Sequence, residues 1–401
     1  MKFKKNKKQY ILKNKNTSIL TFDYEKIIDK ITLGKVVSYK IKHIKILEPD
    51  LLPAGYTNTV DSSKLKKWIE HRGTPKNRRY RDYILRLNLI STEEQFSNNS
   101  FMNYIDISYG LSLNDSYWII PDDGNEYRWE DYNLYKNKFS EARSLIALGI
   151  LDSTIQEKTR LSPEYTTHGM LAKCWTIINN EIVLLKRSSN NHNKEAFAEY
   201  YMTQIAEIME FDHVKYDIIN YHKNIVSLCP IFTTEDIGFI PIYYCMDPKD
   251  TIKEEGKLLE SIIKIYGKEK LEDLMLFDSL IYNTDRHLGN FGMLVDNNTR
   301  KILGSAPIFD NGNSILSFLD DETSLEIISS YYISKFNLSF DLLIIFFVQE
   351  RHKKGLEKLK NFKFKRHKEY NLPENLLKKG EKFISERAKM ALRQLEKKLK
   401  K

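Results

Sequence analysis

Cysteines and long hydrophobic runs are scarce in this sequence. Only three cysteines occur among the 401 residues. They are too few for a disulfide framework and too scattered for a zinc site. The longest dense apolar run, Leu342 to Val348, is far too short to cross a bilayer, and it predicts a buried helix. No apolar secretion segment follows the charged N-terminal residues. We therefore expect a protein of a reducing, cytoplasmic compartment that has no membrane span.

The composition is that of a folded protein whose charge is unevenly distributed. With 41% hydrophobic, 12% aromatic and 29% charged residues, the chain is long enough for two domains. The net charge is +9, yet residues 1–16 hold seven lysines and no acid, and residues 351–401 hold 19 Lys or Arg against six Glu. Residues 17–350 are therefore net acidic. The basic ends could contact nucleic acid electrostatically, but solvated termini are the interpretation we favour.

Residues 1–155 are predicted to form a separate α+β accessory domain of unknown role. Apolar and polar residues alternate from Ile31 to Ile46, which predicts strands. Apolar residues recur at helical spacing from Leu65 to Leu89, with an interruption near Gly73-Thr74-Pro75, and a short helix is expected from Phe139 to Leu151. No catalytic constellation stands out in this part. A basic cluster could face nucleic acid or a phosphorylated peptide, but a solvated helix face is favoured. Its members are Arg72, Lys76, Arg78, Arg79 and Arg81.

The remainder of the chain reads as a strand-rich half followed by a helical half. Strands are predicted at Lys173–Ile178 and Glu181–Lys186, joined by the hairpin turn Asn179-Asn180. A helix from Asn193 to Met209 and further strands up to Tyr243 follow, and the chain then becomes mostly helical. This order predicts a two-lobed α+β domain. Its parts would be an N-lobe at about 156–245, a helical C-lobe at about 246–350 and a basic helical extension at 351–401.

One polar loop has the residue types of a phosphotransferase. Asp285 and Asn290 stand five positions apart between an apolar helix and a predicted strand, and Asp310 ends a short apolar stretch 20 residues later. An aspartate of such a loop can accept the proton of an acceptor hydroxyl, and the amide oxygen and second carboxylate can ligate Mg²⁺. On the spacing alone, a polar turn capped by Asp285 and Asn290 would be the favoured interpretation. His287 could contact phosphate or brace the turn.

Earlier residues supply the remaining parts of such a site in the expected order. Lys186 ends an apolar strand, where its ammonium could reach phosphates, and Glu199 on the next helix could pair with it. The segment Thr166, Thr167, His168 and Gly169 could wrap phosphates through its backbone N–H groups. Taken singly, a lysine at a strand end and a glutamate on a helix surface are usually solvated. Their order along the chain favours the functional interpretation.

The run from Leu280 to Gly292 resembles the catalytic-loop signature of HipA-like serine/threonine kinases. The pattern is Asn-Thr-Asp-x-His-x-x-Asn-Phe, with a later aromatic-Asp pair at Phe309-Asp310. The resemblance covers about residues 156–350, and it implies a two-lobed, protein-kinase-like fold that uses ATP and Mg²⁺. The sequence departs from the family at Ala198, where an Asn is usual, and in a phosphate loop that is less rich in Gly and Ala.

The resemblance also implies a role for each site residue. Asp285 would be the catalytic base, Asn290 and Asp310 the Mg²⁺ ligands, and Lys186 the phosphate-contacting lysine paired with Glu199. Adenine would be bound near Leu228 to Phe232, with Leu228 and Ile231 as contacts. Some members autophosphorylate a serine in the phosphate loop. The candidates here are Ser162, Thr166 and Thr167.

Three functions follow from these expectations. The first is phosphotransfer to a Ser or Thr of a protein substrate, as in toxin-type growth regulators that are neutralised by a DNA-binding antitoxin. The second keeps the fold but phosphorylates a hydroxyl of a lipid or small molecule. The third is a catalytically silent kinase fold that binds a partner. Retention of Asp285, Asn290, Asp310 and Lys186 favours the enzymatic functions.

Overall fold

The chain was analysed as a computed structural model. It describes residues 5–31, 34–56, 59–81, 84, 102–151, 161–189, 194–247, 249, 255–322, 324–325, 328 and 331–400. Two compact units are present. The first comprises residues 1–184, 233–238 and 295–302, and the second comprises residues 185–232, 239–294 and 303–401. The boundary predicted at residue 155 lies outside the described residues.

A four-stranded antiparallel sheet forms the core of the first unit. Its strand order is β3-β2-β1-β4, and the strands are β1 (Lys5–Asn14), β2 (Thr17–Ile31), β3 (Gly34–Ile46) and β4 (Tyr117–Pro121). Alternate residues of β1 from Tyr10 to Asn14 are buried, because successive side chains of a strand point to opposite faces, whereas β2 is buried on both faces from Phe22 to Glu25. Tyr10, Leu12, Leu20 and Phe22 therefore lie in one hydrophobic cluster. The strands predicted between residues 31 and 46 are confirmed.

Short helices pack in the first unit: α1 (Ser62–His71), α2 (Met102–Ser108), α3 (Trp129–Tyr132) and α4 (Glu141–Ala147). The Asp61 side chain accepts a hydrogen bond from the Lys64 amide and so begins α1. Ser140 caps α4 in the same way, and the short helix predicted there is confirmed. The helical stretch predicted from Leu65 is present up to His71, where α1 ends just before the predicted interruption at Gly73-Thr74-Pro75, and most of the part after it lies outside the described residues.

Two members of the basic cluster, Arg72 and Arg78, are buried, whereas Lys76 and Arg79 are exposed as predicted. Arg72 is buried, with a bidentate ion pair to Asp115 and further hydrogen bonds to the carbonyls of Gly110 and Tyr117. Arg78 is buried and pairs with the buried Glu164 at 2.7 Å. A guanidinium has five donors, so it can hold several chain segments at once. The prediction was wrong for these two residues because their partners lie 43 and 86 positions away.

The predicted hairpin is confirmed as β5 (Lys173–Ile178) and β6 (Glu181–Arg187). Asn179 and Asn180 have φ values of 51° and 65°, as a two-residue type I′ turn requires. These strands belong to a sheet of order β5-β6-β8-β7, in which β7 (Asp217–Tyr221) and β8 (Asn224–Pro230) form a second hairpin. A three-stranded sheet of order β11-β10-β9 contains β9 (Ile237–Pro241), β10 (Gly292–Asp296) and β11 (Ile302–Ser305).

Helices dominate the second unit and enclose its large apolar core. The helix predicted from Asn193 is confirmed as α5 (Lys194–Ile208). The others are α6 (Ile242–Cys245), α7 (Glu255–Tyr266), α8 (Lys268–Ile281), α9 (Ile315–Phe318), α10 (Phe340–Phe347), α11 (Lys353–Leu359) and α12 (Glu374–Leu399).

The helix that was predicted to be buried, α10, is buried on one face only. Phe340, Leu343 and Ile344 lie in the core, whereas Leu342 and Phe346 are 39% and 54% exposed. A run of uninterrupted apolar residues cannot indicate which side of a helix faces water, since periodicity carries that information. Within the part of the chain that the structure describes, no helix is long and apolar enough to span a membrane.

Candidate active site

The site is centred on the buried ammonium of Lys186, near the end of β6. Its Nζ donates to Glu199 Oε1 at 2.5 Å and to Asp310 Oδ1 at 2.8 Å. Burial alone would lower the pKa of Lys186, but Asp310 and Glu199 outweigh it and hold the pKa well above its ordinary value. The lysine is therefore charged, and it joins two carboxylates that lie 111 positions apart in the sequence.

Glu199 is fixed on α5 by a second partner. The Ser227 hydroxyl on β8 donates to Glu199 Oε2, so each carboxylate oxygen has a donor. Burial raises the pKa of Glu199, and the negative charge of Asp310 adds to the rise, while Lys186 opposes it. The Ser188 hydroxyl accepts a hydrogen bond from the Ala196 amide and ties the start of α5 to the chain just after β6. The predicted pairing of Lys186 with Glu199 is therefore present as a buried ion pair.

Asp310 is held in a backbone conformation that few residues adopt. Its φ is +60°, in the left-handed region where aspartate is among the tolerated residues. The Asp310 amide donates to the Tyr216 hydroxyl at 2.9 Å, and Asn283 Nδ2 donates to the Asp310 carbonyl at 3.3 Å. The ring of Tyr216 also lies 5.5 Å from Lys186 Nζ. These contacts hold Asp310 in its strained backbone conformation, a feature that is common at functional sites.

The loop that carries Asp285 and Asn290 follows directly from the end of α8. Tyr282 ends the helix with a φ of 55°, and the Asn283 side chain then accepts a hydrogen bond from the Asp285 amide at 3.0 Å. Asn290 Nδ2 donates to the Asp285 carbonyl at 2.9 Å, closing the loop. That bond orients the amide, so its oxygen faces away from the loop backbone. The Asp285 carboxylate is 38% exposed and open to an acceptor.

Arg286 connects this loop to the Asp310 segment. It is fully buried and pairs with Asp278 of α8, with Nε and Nη2 each 3.0 Å from a carboxylate oxygen. Its Nη1 donates both to the Asn290 carbonyl at 2.9 Å and to the Phe309 carbonyl. Two backbone carbonyls that accept from one nitrogen must lie close together. Arg286 thereby places the residue Asn290 beside the residue that precedes Asp310.

Sequence reasoning missed Arg286, Tyr216 and Ser227. One signal for Arg286 was available: Asp278 interrupts an otherwise apolar helix, and a buried carboxylate requires a cationic partner. Tyr216 and Ser227 stand in predicted strands without any distinguishing pattern.

The donors present near Lys186 fit Mg²⁺. Asn290 offers an amide oxygen that has no hydrogen-bond partner among the described residues, and Asp310 offers a carboxylate. Hard oxygen donors suit Mg²⁺, which is usually held by one or two protein ligands together with water and phosphate oxygens. No cluster of three or more His, Cys, Asp or Glu side chains suited to a metal occurs in the described ranges. The donor set therefore favours a shared Mg²⁺–phosphate site over a closed protein cage.

The remaining predicted site residues are placed as follows. Thr166 and Thr167 belong to the first unit, where both are buried and their hydroxyls donate to the Leu111 and Pro163 carbonyls. His168 is exposed, and Gly169 has a φ of 97°. The phosphate-binding role of these four residues stays a prediction. Ser162, another autophosphorylation candidate, is also buried.

Two further predictions concern residues of the second unit. Leu228 on β8 and Ile231 just beyond it are partly buried, and their adenine-binding role stays a prediction. His287 is exposed, and its Nδ1 accepts a hydrogen bond from the Gly289 amide at 3.0 Å. The loop-bracing role considered for His287 therefore has a contact that supports it.

Comparison with known proteins finds similarity to kinases. No protein-family model matches it. The serine/threonine-protein kinase CtkA of Helicobacter pylori is 24% identical over 171 residues, which cover 38% of this chain and 52% of CtkA. The chain thus spans about half the length of this curated relative. The crystal structure of the H. pylori proinflammatory kinase CtkA covers 57% of this chain and 93% of its own, with 19% identity and a TM-score of 0.45.

A second solved structure extends over nearly the whole chain. It is the Shewanella oneidensis MR-1 toxin–antitoxin complex of HipA, HipB and operator DNA, and it matches with a TM-score of 0.53 and 12% identity. The match covers 95% of this chain and 96% of that one. The α+β fold expected from the sequence is confirmed, and the chain resembles the HipA-like kinases, whose fold it has.

Proposed function

We propose that this chain is an ATP- and Mg²⁺-dependent kinase that phosphorylates a Ser or Thr hydroxyl of a protein. The observation that carries the proposal is the buried lysine shared by two carboxylates, Lys186 between Glu199 and Asp310. A surface lysine gains little from an ion pair, but a buried one with two partners is held in one geometry. Such a lysine is positioned to bind phosphate oxygens beside a metal-binding carboxylate.

Each residue has a distinct role in this proposal. Lys186 binds non-transferring phosphate oxygens, and Glu199, itself held by Ser227, keeps the ammonium in place. Asn290 and Asp310 hold Mg²⁺ through their side-chain oxygens. Asp285 orients the acceptor hydroxyl and takes its proton. Bound Mg²⁺ would neutralise the charge of the transferring phosphoryl group of ATP. Arg286 touches no substrate in this scheme and serves to position Asn290 and Asp310.

A radiolabelling experiment tests the proposal. The purified chain is incubated with Mg²⁺ and γ-labelled ATP, alone and with bacterial lysate, beside Asp285→Asn and Asp310→Asn variants. Removal of a catalytic base or metal ligand should lower protein labelling by about 10²–10⁴-fold. Asp50→Asn serves as a matched control, because Asp50 is an exposed aspartate of the first unit. Undiminished labelling by both site variants, or no labelled protein with the unaltered chain, would contradict the proposal. Label found only in lipids or metabolites would contradict the protein acceptor.

We further propose a toxin-type role in the cytoplasm with an antitoxin-like partner. The solved HipA structure of the same fold contains HipB and operator DNA, which supports this partner class. The three cysteines are free thiols, which suits a reducing compartment. Induced expression in a bacterial host should arrest growth with the unaltered chain and not with Asp285→Asn. Equal growth of the two strains at equal protein levels would argue against the toxin-type role.

A further inference from the structure

A second lysine lies at the other end of the site, beside the Asp285 carboxylate. Lys335 Nζ is 3.5 Å from Asp285 Oδ1. Both side chains are partly exposed, at 50% for the lysine and 38% for the aspartate. An exposed pair of this kind contributes little to stability, so its energy alone gives no reason for the arrangement. The position of the ammonium, next to the residue proposed to bind the acceptor hydroxyl, suggests a chemical reason.

The turn that presents Lys335 is rigidly built around Ser334. The Ser334 hydroxyl accepts hydrogen bonds from the amides of Phe336 and Leu338, both at 3.3 Å, and donates to the Leu338 carbonyl at 2.8 Å. The Asn337 amide bonds to the Ser334 carbonyl at 3.1 Å, and Asn337 has a φ of 54°. A turn with this many internal bonds fixes the direction in which its second residue leaves the backbone.

The same turn is anchored to the core beneath the catalytic loop. Phe336, the neighbour of Lys335, is only 3% exposed. Its ring centroid lies 6.5 Å from that of Phe291, the residue that directly follows Asn290. The position of Lys335 relative to Asp285 is therefore set by packed side chains on both sides. A lysine on an unanchored surface loop would lack this constraint.

The other two cations of the site already have carboxylate partners. Lys186 is shared by Glu199 and Asp310, and Arg286 is paired with Asp278. Phosphoryl transfer requires positive charge near the oxygens on which negative charge is carried, and fixed charges provide it most effectively. Lys335 has an accessible ammonium next to Asp285, so it can supply that charge on the acceptor side.

We propose that Lys335 is a further catalytic residue, which binds the terminal phosphate of ATP beside the acceptor hydroxyl held by Asp285. This inference rests on the proposed kinase function and deepens it. During transfer the acceptor oxygen forms a bond to the terminal phosphorus of ATP. The bond between that phosphorus and the bridging oxygen breaks, and its electron pair leaves with ADP. The hydroxyl proton passes to Asp285. Lys335 keeps its protons and its charge throughout and lies close to both the aspartate and the phosphoryl oxygens.

Nucleotide binding, measured by calorimetry with Mg²⁺ present, tests this role independently of turnover. The probes are ADP and a non-hydrolysable ATP analogue, which differ at the terminal phosphate. Lys335→Met should weaken binding of the analogue by about 10-fold, as expected for loss of a charged hydrogen bond, and leave ADP affinity within about twofold. Lys335→Arg should retain most of the preference for the analogue. Lys382→Met is the matched control, since Lys382 is 71% exposed on α12.

The outcomes separate this inference from the kinase function itself. Suppose that the unaltered chain binds both nucleotides. If Lys335→Met then weakens the binding of both equally, or weakens the binding of neither, the role of Lys335 is overturned and the kinase proposal stands. If the unaltered chain binds neither nucleotide, both proposals fail. If Lys335→Met weakens binding of the analogue but not of ADP, and Lys335→Arg retains the binding of the analogue, the result supports a direct contact between Lys335 and the terminal phosphate.

Discussion

At the scale of single residues, the buried pair of Arg286 and Asp278 determines how the catalytic loop is held. Burial raises the pKa of Asp278, and the facing guanidinium is the main group that counteracts that rise, with a smaller contribution from the Asn283 side chain. The remaining donors of Arg286 reach the Asn290 and Phe309 carbonyls and the Asn311 side chain at 2.8 Å. The Arg286 side chain thus both stabilises the fold and positions the segments of Asn290 and Phe309. The two duties can be separated by mutation.

Arg286→Met should lower the free energy of unfolding by about 3–5 kcal/mol, because it leaves Asp278 buried without its partner. The double variant Arg286→Met with Asp278→Leu should recover much of that loss, since an apolar pair of similar volume avoids the buried charge. Urea denaturation measures both effects. The double variant should still transfer phosphate poorly, because the carbonyls near Asn290 and Asp310 are no longer tied together. Full activity in a stable double variant would disprove the positioning role.

The stability of Arg286→Met should also depend on pH in a defined direction. In Arg286→Met the guanidinium no longer lowers the pKa of Asp278, so the folded pKa lies further above its unfolded value of about 3.9. A group with a raised folded pKa contributes most stability below its unfolded pKa, and that contribution is lost as the pH rises through the folded pKa. The deficit relative to the unaltered chain should therefore be larger at pH 8 than at pH 5. A deficit independent of pH would mean that Asp278 stays ionised or becomes solvated.

The sequence allowed part of this site to be predicted. The catalytic loop, Lys186 and Glu199 could be found because each has a local context: a loop after an apolar helix, a strand end, a helix start. The contact of Lys186 with Asp310 was not predicted, and Arg286 was missed. Buried Arg72 and Arg78 were mistaken for surface residues. The partners of Arg72 and Arg78 lie 43 and 86 positions away, where residue spacing carries no information about proximity, whereas Asp278 lies only eight positions before Arg286.

At the scale of elements, predictions succeeded where turn chemistry or periodicity was strong. The hairpin at Asn179-Asn180 follows from the φ values that Asn tolerates, and α5 follows from its apolar spacing. The second hairpin turns at His222 and Lys223, which have φ values of 48° and 63° although neither residue favours that region. Tertiary pairing of β7 with β8 overrides local preference there. Such a turn could not have been predicted from its residue types.

Two helix glycines should respond oppositely to alanine. A Cβ on Gly355 of α11 would lie 3.0 Å from the Met209 Cα and 2.7 Å from its Sδ, so Gly355→Ala should lower the free energy of unfolding by about 1–3 kcal/mol. A Cβ on Gly256 of α7 would meet nothing within 4 Å among the described residues. Gly256→Ala should therefore stabilise the chain by about 0.4–1 kcal/mol. Thermal denaturation compares the two variants. Equal effects would contradict the close approach of α11 to Met209.

The C-terminal helix α12 should lose stability when Glu381 is neutralised. This buried carboxylate accepts from Arg366 at 2.8 Å and from the Phe364 amide at 3.1 Å, and it pairs with Lys363 at 3.0 Å. Burial alone would raise the pKa of Glu381, but the Arg366 and Lys363 contacts lower it. Glu381→Gln should lower the free energy of unfolding at pH 7 by about 1–3 kcal/mol.

The effect of Glu381→Gln should shrink in acid. A carboxyl group whose folded pKa is lowered contributes stability at pH values above its unfolded pKa, which is about 4.3. That contribution is lost as the pH falls through the folded pKa. The difference in free energy of unfolding between Glu381→Gln and the unaltered chain should therefore become smaller below about pH 4. Glu386→Gln is the matched control, because Glu386 is 53% exposed and lies 4.0 Å from Lys382. A pH-independent difference for Glu381→Gln would indicate that lost packing, rather than lost charge, is responsible.

At the scale of the whole molecule, the chain does not divide at a single point. Residues 233–238 and 295–302 are grouped with residues 1–184 although the surrounding chain belongs to the second unit. Their bonds lie within the first unit: Asn14 Nδ2 donates to the Asn297 carbonyl at 2.6 Å, and Thr233 Oγ1 donates to the Leu113 carbonyl at 2.5 Å. Lys186, Asp285 and Asp310, which are proposed to carry catalysis, lie in the second unit.

This connectivity predicts that removal of residues 1–155 will impair folding even though no proposed catalytic residue is lost. The fragment 156–401 would retain Asn297 and Thr233 without Asn14 and Leu113, and each buried hydrogen bond lost costs about 1 kcal/mol or more. The Trp129 indole, which donates to Glu235 Oε1 at 2.7 Å, would be lost as well. We expect the fragment to unfold at lower temperature than the full chain and to aggregate during gel filtration. Asn14→Ala in the full chain tests one of these bonds separately and should lower the free energy of unfolding by about 1–3 kcal/mol without changing nucleotide affinity. A monomeric fragment with the full chain's melting temperature would instead mean that residues 233–238 and 295–302 hold their structure without residues 1–155.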